Sequence, residues 1–188
     1  MIELFEQAKL LEDFCESQEW RSCFIGGIAL QRWGEPRLTV DADLSLYTGF
    51  GHEERFIDLL LARFQPRIPD AKAFALGNRV LLLRSPAGIG LDVALAGLPL
   101  EQEIIGRGSP FPFLPELSLT TCSAEDLVVL KAFANRSQDR VDIEWVVRRQ
   151  RDGLDWPAIF ERVTPLIELK EEPEILDSLR KLRAIGER

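Results

Sequence analysis

Two aspartates, Asp41 and Asp43, stand one residue apart inside L-T-V-D-A-D-L-S-L, residues 38–46. Val and Thr favour extended backbone here, and residues two apart on a strand project from the same face. The segment therefore presents two carboxylates side by side. Like charges that close are unfavourable without a compensating cation. The chain must either bring something positive to this strand, or turn one Asp to solvent and use the other to cap a turn.

The preceding stretch bears on that choice. Cys23 to Ile25 is a short apolar run, compatible with a buried strand, and Gly26-Gly27 leads into a helical pattern from Ile28 to Trp33. Glycine adopts positive φ readily and lets backbone approach a ligand closely. A Gly-Gly pair between a strand and a helix N-terminus aims free N–H groups and the positive helix end at an anion. The same pair is also a common plain turn. Gly34-Glu35-Pro36 breaks the helix. At alternating positions, Arg37, Thr39, Asp41 and Asp43 share one face. Arg37 then either neutralises Asp41 or contacts phosphate. Asp92 is the one charged residue in GIGLDVALAG, a strand-like segment. An Asp there is costly unless it is paired with an arginine or bound to metal. A third carboxylate is what a pair of metal ions about 3.5–4 Å apart requires. Oxygen donors of this kind suit Mg²⁺, which is usually held by one or two carboxylates plus substrate phosphates.

Gly26-Gly27, then Asp41-Ala42-Asp43, then a distal Asp92 resembles the polymerase-beta-type nucleotidyltransferase superfamily. More closely, GGIALQRWGEPRLTVDADLSL is similar to the AbiEii-like nucleotidyltransferases of bacterial toxin and abortive-infection systems. The likeness continues in LKAFANRSQDRVD, residues 130–142, and touches roughly residues 23–145 by scattered motifs. It implies a metal-dependent enzyme that moves a nucleoside monophosphate from an NTP to an acceptor and releases pyrophosphate. Asp41, Asp43 and Asp92 would hold two Mg²⁺ ions, with Mn²⁺ as an alternative. Gly26 and Gly27 would cradle the β- and γ-phosphates. Arg37, Thr39 and Asp142 would help bind nucleotide, and Lys131 would stabilise charge in the transition state. The resemblance also implies an RNA acceptor, such as a tRNA end, and a cognate antitoxin protein. A small-molecule acceptor such as an aminoglycoside, a protein side chain, and a non-catalytic binding module that keeps the fold all stay open.

The implied fold is α/β (α+β): a nucleotidyltransferase core over residues 1–120, with a mixed, largely antiparallel sheet flanked by helices, and a helical portion over 121–188. With 188 residues, nearly half of them apolar, the chain suffices for one compact core with such an appendage. A formal charge of −8 argues against a protein that coats nucleic acid non-specifically. Arg136, Arg140, Arg148, Arg149 and Arg151 nevertheless concentrate positive charge late in the chain. Three cysteines lie far apart without C-x-x-C spacing, which predicts reduced thiols in a cytoplasmic protein. The opening MIELFEQAKLLEDF is acidic and amphipathic, unlike a signal peptide, and no apolar run reaches membrane-spanning length.

Apolar spacing predicts helices over 2–17, 52–64, 98–105, 137–150, 155–169 and 172–184. Residues 71–96 read as sheet, with AKAFAL, RVLLLRS and LDVALA as strands. Residues 107–115, rich in Gly and Pro, read as a lid or a packed linker, and Leu117-Ser118-Leu119 as a short strand. Ser123 is placed to cap a helix carrying Leu127, Val128, Leu130 and Lys131. Lys131 either snorkels to solvent or is aimed at phosphate. Asp139 and Asp142, three apart, either compensate the helix dipole and pair with arginine, or orient Lys131 or the acceptor. Trp33 reads as core. The single histidine, His52, reads as a helix-start residue, which leaves His-dependent nucleophilic chemistry without a base.

Overall fold

The computed structural model describes residues 1–186. The chain divides into two compact units. Unit 1 holds Met1–Ile28 and Leu38–Cys122, and unit 2 holds Ala29–Arg37 and Ser123–Arg188. The short segment 29–37, read above with the core, thus groups with the helical unit.

In unit 1, α1 (Ile2–Ser17) precedes β1 (Ser22–Phe24), and α2 starts at Gly26 and ends at Trp33. Then come β2 (Asp41–Tyr47), α3 (Glu53–Arg63), β3 (Gln65–Pro66), α4 (Ala71–Asn78), β4 (Val80–Arg84), β5 (Gly90–Ala96), α5 (Pro99–Gly106), β6 (Ser109–Leu114) and β7 (Leu117–Thr121). The strands form one sheet in the order β3-β4-β5-β2-β1-β7-β6. Pairing is parallel for β2 with β5 and β1 with β7, and antiparallel elsewhere. The sheet is therefore mixed and largely antiparallel, as expected.

Period-two alternation decides its two faces. Ala42, Leu44, Leu46, Leu81, Leu83, Leu91 and Val93 are buried in a core with Leu4, Phe5, Ala8 and Leu11 of α1 and Phe56, Ile57 and Leu60 of α3. Asp41, Asp43 and Asp92 alternate with those residues and are only partly covered. Burying one face of leucines and valines at about 1.5–3 kcal/mol per side chain fixes where the carboxylates must point.

Three expectations change. AKAFAL is not a strand but the start of α4. Its alanines are the best helix formers, and Ala71 and Ala75, one turn apart, are buried. Lys72 then reaches Asp58 and Glu54 of α3. Residues 109–114 form neither lid nor linker but β6, at the sheet edge, where Pro110 and Pro112 need no outward N–H partner. Phe113 of β6 stacks on Phe5 with ring centroids 4.7 Å apart. Finally, β2 begins at Asp41, so residues 35–40, with Arg37 and Thr39, lie outside regular structure.

Unit 2 is helical. α6 (Ala124–Ala134), α7 (Ser137–Gln150), α8 (Trp156–Lys170) and α9 (Glu174–Gly186) follow one another, with a turn of 3₁₀ helix at Arg151–Gly153. Ser123 caps α6 as expected, its hydroxyl accepting from Asp126 N–H. Leu127, Val128, Ile143, Val146, Val147, Ile159 and Val163 are buried. Arg162 of α8 pairs at 3.1 Å with the buried Asp126. No helix among the described residues is long and apolar enough to cross a membrane.

Helix α1 is fastened to the sheet by a buried carboxylate. Glu12 accepts from Thr120 N–H at 2.7 Å and from Lys9 at 2.9 Å. Glu12→Ala strands that backbone donor, so the protein is expected to lose about 1–3 kcal/mol of stability by urea denaturation. An unchanged midpoint would show the contact to be dispensable.

Candidate active site

The carboxylates meet through strand register. In the parallel β2·β5 pair Asp43 stands opposite Asp92, and Asp41 stands opposite Gly90. Because Asp41 and Asp43 are two apart on β2, and Gly90 and Asp92 two apart on β5, all four positions occupy one face. Three corners of this square bear carboxylates. The fourth bears none.

Backbone surrounds the square closely. Gly26 has φ +54°, and a Cβ built on it would lie 2.1 Å from Asp43 Oδ2. Gly27 N–H points at that same oxygen from 3.5 Å. A Cβ on Gly27 would lie 2.4 Å from Thr39 Oγ1, and Thr39 donates its hydroxyl to Asp41 O at 3.3 Å. Gly26, Gly27, Thr39, Asp41, Asp43 and Asp92, all singled out in the sequence, thus come together in unit 1.

Asp92 is the least settled of the three acids. Its Oδ1 is buried and makes no hydrogen bond, although Arg67 Nη2 lies 2.6 Å away, off the line a hydrogen bond needs. Burial raises its pKa above the usual carboxylate range. Arg67 opposes that rise and Asp41 adds to it. Among the described residues no three Asp, Glu, His or Cys side chains are already drawn into a metal cage.

No family model matches the chain, and no curated protein does. Solved structures do match. An antigenic nucleotidyltransferase-like protein from Paracoccidioides brasiliensis aligns with TM-score 0.53 and 14% identity, over 94% of this chain and 92% of that one. The lincosamide antibiotic adenylyltransferase LnuA, lincomycin-bound, aligns with TM-score 0.52 and 12% identity, over 75% of this chain and 94% of its own. The fold is nucleotidyltransferase-like.

The remaining sequence candidates gather in unit 2. Arg37 donates two hydrogen bonds to Asp142, Nε to Oδ1 at 3.0 Å and Nη2 to Oδ2 at 2.9 Å. Lys131 Nζ lies 2.7 Å from Asp142 and 3.1 Å from Asp139. Lys131 is only 5% exposed and Asp142 only 1%. The lysine therefore neither snorkels nor stands as an isolated charge: two aspartates neutralise it. Arg37 is bound to Asp142, where the sequence suggested Asp41 or phosphate. Burial acts to raise both carboxyls. Arg136 and Lys131 outweigh it at Asp139, and Arg37, Lys131 and Gln138 at Asp142, so both titrate below the usual range.

Sequence reasoning missed Arg67 and Gly90. Gly90 had a signal, since it precedes Asp92 by two and must share its face. Arg67 had none, being one arginine in a loop. Cys15, Cys23 and Cys122 are free and buried. Burial pushes the Cys15 thiol up to about 12, so it is a protonated, unreactive core residue.

Gly26→Ala would place a Cβ into Asp43 and force a left-handed φ on alanine. It is expected to cost about 1–3 kcal/mol by thermal denaturation. The unit 2 cluster predicts a pH response. Carboxyls with depressed folded pKa values add stability above their unfolded pKa and lose it as pH falls through the folded one. The urea midpoint should therefore hold from pH 7 towards 5 and drop below about pH 4, with a smaller drop in Asp142→Asn.

Proposed function

We propose that this protein is a metal-dependent nucleotidyltransferase that moves an NMP from an NTP to an acceptor, with release of pyrophosphate. The observation that carries this reading is the three-carboxylate square on β2 and β5, edged by the Gly26-Gly27 start of α2. The square suits divalent cations: its donors are hard oxygens, Asp92 Oδ1 is buried without a hydrogen bond, and Gly26 leaves Asp43 room that any side chain would fill. Asp41, Asp43 and Asp92 would hold Mg²⁺ or Mn²⁺. Bound there, the ions would offset phosphate charge and orient the reacting oxygens.

The chain's own residues do the rest. N–H groups at the start of α2 receive the β- and γ-phosphates. The acceptor oxygen bonds to the α-phosphorus as the bond to pyrophosphate breaks. The acceptor's proton passes to Asp92. Within unit 2, Asp142 holds Arg37 and is itself neutralised by Lys131. Catalysis on this reading is positioning plus electrostatics.

For the acceptor, the AbiEii-like resemblance supports RNA, such as a tRNA end, with an antitoxin as protein partner. LnuA acts on a lincosamide, which with the −8 charge supports a small molecule instead. Three buried, free thiols fit a reducing, cytoplasmic setting. The absence of a preformed cage among the described residues, with Arg67 against Asp92, favours one second reading: a binding module that keeps the fold without the chemistry.

The test is transfer from each of four α-labelled NTPs with Mg²⁺, offered total bacterial RNA and, separately, lincomycin. Asp41→Asn should lower incorporation at least about a hundredfold, as loss of several kcal/mol of charge stabilisation implies. The labelled product names the acceptor class. No transfer together with no Mg²⁺-dependent NTP binding would replace the enzyme with the binding module.

A further inference from the structure

A cation already sits on the carboxylate square. Arg67 follows β3, and its N–H donates to Leu82 O at 2.9 Å, which pins its backbone beside β4. Its side chain crosses onto the face of β5. A Cβ on Gly90 would lie 2.6 Å from Arg67 Nη1 and 3.2 Å from Asp41 Cβ. The guanidinium therefore stands over the corner that glycine leaves bare, between Asp41 and Asp92. Its Nη2 is 2.6 Å from Asp92 Oδ1, and the two side chains are only 27% and 21% exposed.

We infer that Arg67 is a built-in stand-in cation, which occupies Asp92 in the unloaded protein and must swing away before a divalent ion can use that oxygen. The inference rests on the metal-dependent reading above. Three carboxylates on one face repel one another, and a guanidinium among them relieves this when no metal is bound. An arginine cannot yield by losing its proton, so it yields by moving. Its backbone is tethered but its side chain is long, and Gly90 is the clearance that lets it lie down. Arg67 is thus a positioning residue that sets the cation affinity of the site. Once released it remains at the rim, where its planar fork suits a phosphate.

Arg84 supplies the control. It pairs with Gly90 across β4 and β5, so it lies on the same face one strand further out, and it is exposed. Mn²⁺ binding would be measured by calorimetry, without nucleotide, for the native protein, Arg67→Gln, Arg84→Gln and Asp43→Asn. Arg67→Gln should bind Mn²⁺ about three- to tenfold more tightly, the scale of losing a competing ion pair, while Arg84→Gln stays within about twofold. Asp43→Asn should bind more weakly, which locates the ion at the square. If Arg67→Gln does not fold, Arg67→Lys takes its place: its shorter point charge should also release Asp92 and tighten Mn²⁺. Equal affinity in native and Arg67 variants, or equal tightening in Arg84→Gln, overturns the inference and leaves the metal reading intact. Mn²⁺ binding in none of these proteins removes the metal reading and this inference with it.

Discussion

Asp43 faces Asp92 because β2 and β5 run parallel in a register that the opposite face of the sheet enforces. Leu44, Leu46, Leu91 and Val93 are buried there without exposure. A slip of one residue would send that whole apolar set to the carboxylate side, at a cost several times that of bringing two like charges together. Hydrophobic burial on one side of the sheet thus holds an electrostatically unfavourable arrangement on the other. The clearances at Gly26 and Gly90, the approach of Gly27 N–H to Asp43, and the guanidinium of Arg67 all follow from that square.

Much of this was legible in the sequence where one periodicity dominated. Alternation in residues 38–46 placed Asp41 and Asp43 on one face, Asp92 stood out as the one charge in an apolar strand, and Gly-Gly marked the start of α2. Legibility failed where two signals competed. In AKAFAL the period-two pattern pointed to a strand, but alanine's helix preference and the packing of Ala71 and Ala75 prevailed. In SPFPFL the prolines argued for a linker, yet an edge strand tolerates them. The partner of Asp92 was unreadable, since nothing in the local pattern says which arginine the turn between β3 and α4 will deliver.

Unit 2 shows the same limit. The spacing of Asp139 and Asp142 on α7 was plain, and so was their affinity for arginine or lysine. That Arg37, more than a hundred residues away, would supply a two-point contact to Asp142 was not. A buried lysine between two buried aspartates is a poor source of net stability but a stringent one of geometry, since removing any member leaves an uncompensated charge. The cluster thus locates the irregular stretch that follows α2, at Arg37, against α7.

Parallel pairing also bears on how the protein assembles. β2 and β5 are separated by the whole of α3, α4, β3 and β4, and β1 pairs with β7 across almost a hundred residues of chain. Closing such loops costs entropy before any contact rewards it, so these pairings form later than the local β4·β5 hairpin. The carboxylates of β2 and β5 therefore meet only after that hairpin has formed. Dissolved salt would act on that closing step in two opposed senses, easing the repulsion among the three aspartates and weakening the Arg67–Asp92 pair that offsets it.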